Sequence, residues 1–136
     1  MPLQFHPKQG AIVLVRFDAA FREPEMVKPR PCVVISPKMK ARPGLCTVVP
    51  LSTTAPAQVM PFHAEIDLGF HLPAPWTSRK CWVKGDMIYA IGLHRADLFR
   101  LGRGKDGRRI YLTETLAPAT FSQVQACVLA GLGLRP

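Results

Sequence analysis

The chain has 136 residues, 48% of them apolar, and sets 18 Lys and Arg against 9 Asp and Glu, a formal charge of +9 with a pI near 10.0. That length and apolar content fit one domain, residues 1–136, with its own core, and exclude a disordered or disulfide-stapled chain. The cationic excess selects polyanions as partners, nucleic acid or an acidic protein; a membrane is disfavoured, because no apolar run approaches the roughly 18 residues that a span needs.

The first residues, MPLQFHPKQG, lack the apolar stretch of a signal peptide, so the expected location is the cytoplasm. Cys32, Cys46, Cys81 and Cys127 lie far apart, without CxxC or metal-ligand spacing, and read as small core residues. No disulfide, metal or other cofactor is expected.

Gly10 opens the run AIVLVRF, a first strand over Ala11–Phe17. Asp18 to Pro31 is a long connection of the kind that carries function in compact domains. It contains Glu25, Lys28 and, between Pro29 and Pro31, Arg30. Proline fixes its own φ and pushes the preceding residue out of the helical region, so Arg30 projects from a stiff base. The β-branched run Cys32–Ser36 after it is a second, central strand. Arg30 therefore has two equal readings, a phosphate ligand or a surface partner of Glu23 or Glu25. A basic turn, KMKARPG, leads to a third strand, Leu45–Leu51, whose Pro50 points to an edge or a bulge. Ser52, Thr53 and Thr54 follow; such hydroxyls donate to phosphate oxygens or, more commonly, cap local backbone.

Phe62, Ala64 and Ile66 alternate with His63, Glu65 and Asp67, a half-buried fourth strand with an acidic outer face. Residues 68–80 form a proline-rich loop in which Trp76 is a stacking platform for a base or, more commonly, a lid over a barrel end. Cys81–Ile91 is a fifth strand interrupted at Lys84, Gly85 and Asp86, where the glycine signals a bulge or a close backbone approach. Asp86 at that kink accepts a proton or, more commonly, bonds to turn amides. From Leu93 to Tyr111 the chain is basic, with Arg95, Arg100, Arg103, Lys105, Arg108 and Arg109: an electrostatic track for a phosphate backbone or a solvated hairpin. A helix is predicted over Pro118–Ala130, its stripe Phe121, Val124, Val128 and Leu132, ended by Gly131 and Gly133. Short, evenly spaced strands followed by one helix describe a small, bent antiparallel barrel. P-loop, GxGxxG, HExxH and nucleophile-elbow motifs are missing from the sequence.

The strand at Ala11–Phe17, the loop with Glu25, the segment RPCVVISP (Arg30–Pro37), the segment LCTVVPLSTT (Leu45–Thr54) and the Lys84-Gly85-Asp86 kink resemble, in order and spacing, the PemK/MazF family of toxin endoribonucleases. The likeness runs to Leu116-Ala117-Pro118, and FHPKQG with FREPEMVKPRP is similar to the YifN-type PemK branch. The resemblance implies a mainly β fold, an SH3-like barrel with a C-terminal α-helix. It also implies a homodimer that cuts single-stranded RNA without a metal and is held inactive by an acidic antitoxin. In such cleavage the 2′-hydroxyl attacks the phosphate, leaving a 2′,3′-cyclic phosphate and a 5′-hydroxyl.

Arg30 matches the family's catalytic arginine, Ser52 and Thr53 its phosphate-contacting hydroxyl site, and Glu25 or Asp86 its general base. The RNA-binding surface expected with that activity comprises Lys28, Lys84, Trp76, Arg95, Arg103, Lys105 and Arg108. Two positions depart from the pattern: Lys84 stands where some members carry a second arginine, losing the bidentate fork, and the loop before Arg30 has no histidine. Two other readings remain, a non-catalytic barrel that binds nucleic acid or protein, and a gyrase poison of the CcdB type, although the end GLGLRP lacks that group's aromatic terminal feature.

Overall fold

The computed structural model describes residues 2–17, 22–24 and 28–134. Its apolar runs form β1 (Ile12–Val15), β2 (Arg30–Val34), β3 (Leu45–Ser52), β4 (His63–Asp67), β5 (Lys80–Lys84), β6 (Tyr89–Gly92) and β7 (Ala96–Asp97). A separate ribbon of β8 (Arg100–Arg103) and β9 (Arg109–Tyr111) follows, then the helix α1 (Pro118–Gly131). The main sheet runs β4-β5-β3-β2-β1-β7, with β6 also paired to β3, and its pairings are antiparallel. The protein is thus mainly β with one C-terminal helix.

Because side chains alternate across a strand, the sheet has two apolar faces. Ile12, Val33, Val49, Leu51, Ile66 and Val83 pack toward α1, which adds Val124 and Cys127. Val13, Val15, Cys32, Val34, Val48 and Ile91 pack on the other face under Leu3, Leu93 and Ala96. Burying each such side chain contributes about 1.5–3 kcal/mol, so both faces hold the sheet in its curve. The edges β4 and β7 meet through rings: Trp76, from the loop after β4, stands edge-on to Phe99, just past β7, with centroids 5.4 Å apart. Among the described residues no helix is long and apolar enough to cross a membrane.

Three details differ from the sequence reading. The fifth strand is two strands, β5 and β6, lying in succession along β3. Leu51 faces Val83 and Val48 faces Tyr89, so three steps of β3 are matched by six of the other strand. The surplus bulges out at Lys84–Ile88, opposite Pro50. Pro50 lies in a central strand, where its missing N–H meets the bulge and leaves no ladder bond unmade.

The helix stripe also shifts. Val124 is buried, with Cys127 joining it, and Phe121 and Val128 pack against the same cluster as expected, while Leu132 lies past the helix end and is 54% exposed. Gly133, at φ +73, ends the helix: its N–H donates to the Ala130 carbonyl at 3.0 Å and the Leu134 N–H to the Leu129 carbonyl at 2.7 Å. Gly131 is the last helical residue and serves packing. A methyl on Gly131 would strike the Gly85 carbonyl, and one on Gly85 would strike the Cys127 carbonyl. The glycine in the kink is therefore a close backbone approach as well as part of a bulge.

Candidate active site

The site follows from register. Ser52 lies opposite Trp82, Trp82 opposite Glu65, and Val15 opposite Arg30. The ladder between β2 and β3 pairs Cys32 with Pro50; continued by two residues, it sets Arg30 beside Ser52. Directly opposed residues share a face, so Arg30, Ser52, Trp82 and Glu65 form one row across β2, β3, β5 and β4, on the face turned away from α1. Adjacent strands lie about 4.8 Å apart, which spaces Arg30 from Trp82 by about 10 Å.

Arg30 is half-buried, and its Nε is sealed from solvent with no hydrogen-bond partner among the described residues. A buried donor left unsatisfied costs about 1–3 kcal/mol. No ion pair joins Arg30 to another described residue, which removes Glu23 as its surface partner. The backbone beneath is stiffened by Pro29 and Pro31, and the Cys32 thiol donates to the Arg30 carbonyl at 3.6 Å.

Ser52 is 5% exposed. Its hydroxyl donates to the Thr54 carbonyl at 3.1 Å and accepts the Thr54 N–H at 3.1 Å. Both bonds commit Ser52 to shaping the turn, in which Thr53 is exposed. Lys84 lies on the same face as Trp82, opposite His63, and Lys28 is exposed just before Arg30.

The other predicted residues are placed elsewhere. Glu25 lies outside the described residues. Asp86 is exposed on the bulge, beneath the Gly131 end of α1. It follows Trp82 by four residues. Arg95 is half-buried in a single 3₁₀ turn, Leu93–Arg95. Arg103, Lys105 and Arg108 are exposed at the tip of the β8–β9 ribbon. There the Arg103 Nη1 donates to the Gly107 carbonyl at 3.0 Å and Arg108 lies 3.7 Å from Asp106.

Trp76, packed on Phe99, walls a cavity of about 330 Å³ with Arg16, Arg100, Arg109 and Tyr111. Arg16 is paired with Asp97 at 2.9 Å, while Arg100 and Arg109 have no ion-pair partner among the described residues. This recess flanks Leu14, on the α1 side of β1, across the sheet from Arg30.

Burial pushes the thiols of Cys46 and Cys81 up to about 11 and raises that of Cys127. Cys32 is raised well above its ordinary value by burial first and the neighbouring Cys46 second, with Arg30 pulling the other way. All four stay protonated at neutral pH and supply no thiolate. Among the described residues no three His, Cys, Asp or Glu side chains come together to hold a metal ion. Trp82 and Glu65 are the members of the row that sequence reasoning passed over. The alternation in KCWVK carries the signal, since it sets Trp82 on the face opposite to buried Cys81 and Val83.

Comparison with known proteins agrees with this architecture. No curated protein matches the sequence. Among solved structures, the chain is similar to MazF from Deinococcus radiodurans (20% identity, 94% of this chain and 97% of that one, TM-score 0.59). It is also similar to the Mycobacterium tuberculosis toxin MazF-mt6 (16% identity, 93% and 99%, TM-score 0.57). A third likeness is to an endoribonuclease in complex with its cognate antitoxin from a mycobacterial species (22% identity, 96% and 99%, TM-score 0.52). At these identities the structures establish the fold. Residues 8–130, nearly the whole chain, match the sequence pattern described as PemK-like, MazF-like toxin of type II toxin-antitoxin system, and the chain belongs to that family.

Proposed function

We propose that this protein is the toxin of a type II toxin–antitoxin pair and an endoribonuclease that cuts single-stranded RNA. The observation that carries the reading is Arg30: a half-buried guanidinium on a stiffened base, its Nε without a partner among the described residues, with the Ser52 turn and its exposed Thr53 next along the β2–β3 ladder. Arg30 and Thr53 hold the scissile phosphate, and Ser52 holds Thr53. The neighbouring 2′-oxygen forms a bond to phosphorus as the bond from phosphorus to the 5′-oxygen breaks, leaving a 2′,3′-cyclic phosphate and a 5′-hydroxyl. The planar guanidinium of Arg30 stabilises the extra negative charge of the phosphorane. The 2′-hydroxyl proton passes to a carboxylate, for which we assign Glu25, five residues before Arg30 in sequence, with Asp86 as the alternative; the leaving 5′-oxygen takes a proton from water. Each step uses groups of the chain and of the RNA, so EDTA is expected to leave the rate unchanged.

The charge of +9 supports an acidic antitoxin as the protein partner, as does the likeness to an endoribonuclease held in complex with its cognate antitoxin. We further propose a homodimer acting in the cytoplasm. Incubating the pure protein with an RNA oligonucleotide and with its all-deoxy analogue tests the reading. Cutting of RNA alone, with cyclic-phosphate ends, is expected; intact RNA, or equal cutting of both strands, contradicts it.

A further inference from the structure

Trp82 is anomalous for a strand residue of its size. Its indole is half-buried, yet it packs against neither apolar cluster, and no ring contact or hydrogen bond engages it among the described residues. The other tryptophan, Trp76, is held edge-on by Phe99 and packed against the α1-side cluster. Glu65, directly across from Trp82, is equally uncommitted. On the same strand Asp67 takes Arg79 at 2.8 Å and the Gly69 N–H at 2.8 Å, whereas Glu65 has no ion pair or hydrogen bond among the described residues. A free indole and a free carboxylate thus stand side by side, in one row with Arg30.

We infer that Trp82 and Glu65 form a nucleobase subsite, the indole stacking on the base next to the phosphate held by Arg30 and the carboxylate accepting from an exocyclic amino group. The inference rests on the RNA-cutting function proposed above and adds what selects the substrate. An aromatic face stacks on any base, while a carboxylate favours bases that offer an amino donor, cytosine, adenine or guanine, over uracil. The geometry suits one nucleotide: about 10 Å, two strand spacings, separates the Arg30 row position from that of Trp82, a span that phosphate, ribose and base bridge together. Glu65 lies a further strand away, about 14 Å from Arg30 and beyond the ~8 Å screening length of physiological salt, so its charge does not repel the phosphate.

The chain has two tryptophans, so Trp76→Phe leaves Trp82 as the sole indole reporter. Titrating that variant with short oligo-dC, oligo-dA and oligo-dT, which have no 2′-hydroxyl, is expected to quench Trp82 emission, with dC and dA binding more tightly than dT. In RNA cleavage, Trp82→Ala is expected to raise KM roughly 5- to 150-fold with kcat nearly unchanged, and Trp82→Phe to restore most of the loss. Glu65→Gln, which adds a donor, is expected to shift preference toward uracil. Binding seen by anisotropy of a labelled oligonucleotide without any change in Trp82 emission would overturn the subsite. Unchanged KM in Trp82→Ala, together with loss of self-association or antitoxin binding, would overturn it in favour of a protein interface. Quenching without RNA cleavage would leave the subsite standing and remove the nuclease; cleavage without quenching would do the reverse.

Discussion

The rim row and the basic ribbon both carry arginine, and they differ in every property that matters for chemistry. Arg30 belongs to a seven-stranded sheet, is half-buried, and keeps an Nε without a partner. Arg103 and Arg108 project from an isolated two-stranded ribbon, exposed, with like-charged Arg103 and Arg109 facing each other across it. Exposed cations attract a phosphate backbone without fixing any one phosphate, and salt screens them. A cation held in place contributes little to overall attraction but needs no reorganisation when charge develops in the transition state. The contrast teaches that the count of charges predicts binding, while the catalytic role proposed above falls to a charge that the sheet holds in place.

The largest expected effect breaks the rim. Arg30→Ala is expected to lower the single-turnover cleavage rate by about 100- to 1,000-fold, with Arg30→Lys between it and the parent because the ammonium lacks the planar fork. Stability to urea should not fall in Arg30→Ala, since the substitution gives up no hydrogen bond among the described residues and removes a buried unsatisfied donor. The support beneath the row is tested next. In Gly85→Ala a methyl meets the Cys127 carbonyl, and a loss of about 2–3 kcal/mol in urea-melt stability is expected.

A smaller effect is expected of Ser52→Ala, which removes both bonds to Thr54. It should cost about 1 kcal/mol of stability and, by loosening Thr53, lower the cleavage rate more than a Thr54→Ala control does. The smallest effects belong to the ribbon. Neutralising Arg103, Lys105 and Arg108 together is expected to weaken RNA binding uniformly across sequences and to flatten the log–log salt dependence by up to about 2, with kcat intact. A fall of kcat on that substitution, equal to the fall in Arg30→Ala, would erase the contrast between the two regions.

The buried thiols add a pH signature of the core. Cys46 and Cys81 are raised from 9.0 to about 11, so the folded state favours their protonated form. That stabilisation is complete below pH 9 and is lost as pH rises through about 11. Stability measured by urea melts should therefore fall over that interval, and by less in Cys46→Ala after correction for its altered packing.

Much of the frame was legible in the sequence because local signals and tertiary structure agree there. The runs IVLV, CVV and LCTVVPL become adjacent central strands, and Pro118 opens the helix at its first turn. What the sequence left hidden depended on pairing between distant segments. Nothing local tells that Gly85 lies under Cys127, or that the fifth run slips against β3 to make two strands around a bulge. The site divided in the same way. Arg30 was legible through its flanking prolines, whereas Ser52 offered two hydroxyl roles and only the turn geometry shows the bonds to Thr54. Trp82 needed both the β3–β5 and β4–β5 registers before it joined the row.

The account is tested most directly by one strand: an oligodeoxynucleotide with a single ribose, given to the parent protein and to Arg30→Ala under single-turnover conditions at low and high salt. It predicts one cut, 3′ to the ribose, ending in a cyclic phosphate, made by the parent at both salt concentrations once the strand is saturated and slowed at least about 100-fold in Arg30→Ala. A cut at deoxy positions, or an Arg30→Ala protein that cuts the ribose site at the parent's rate, would contradict it.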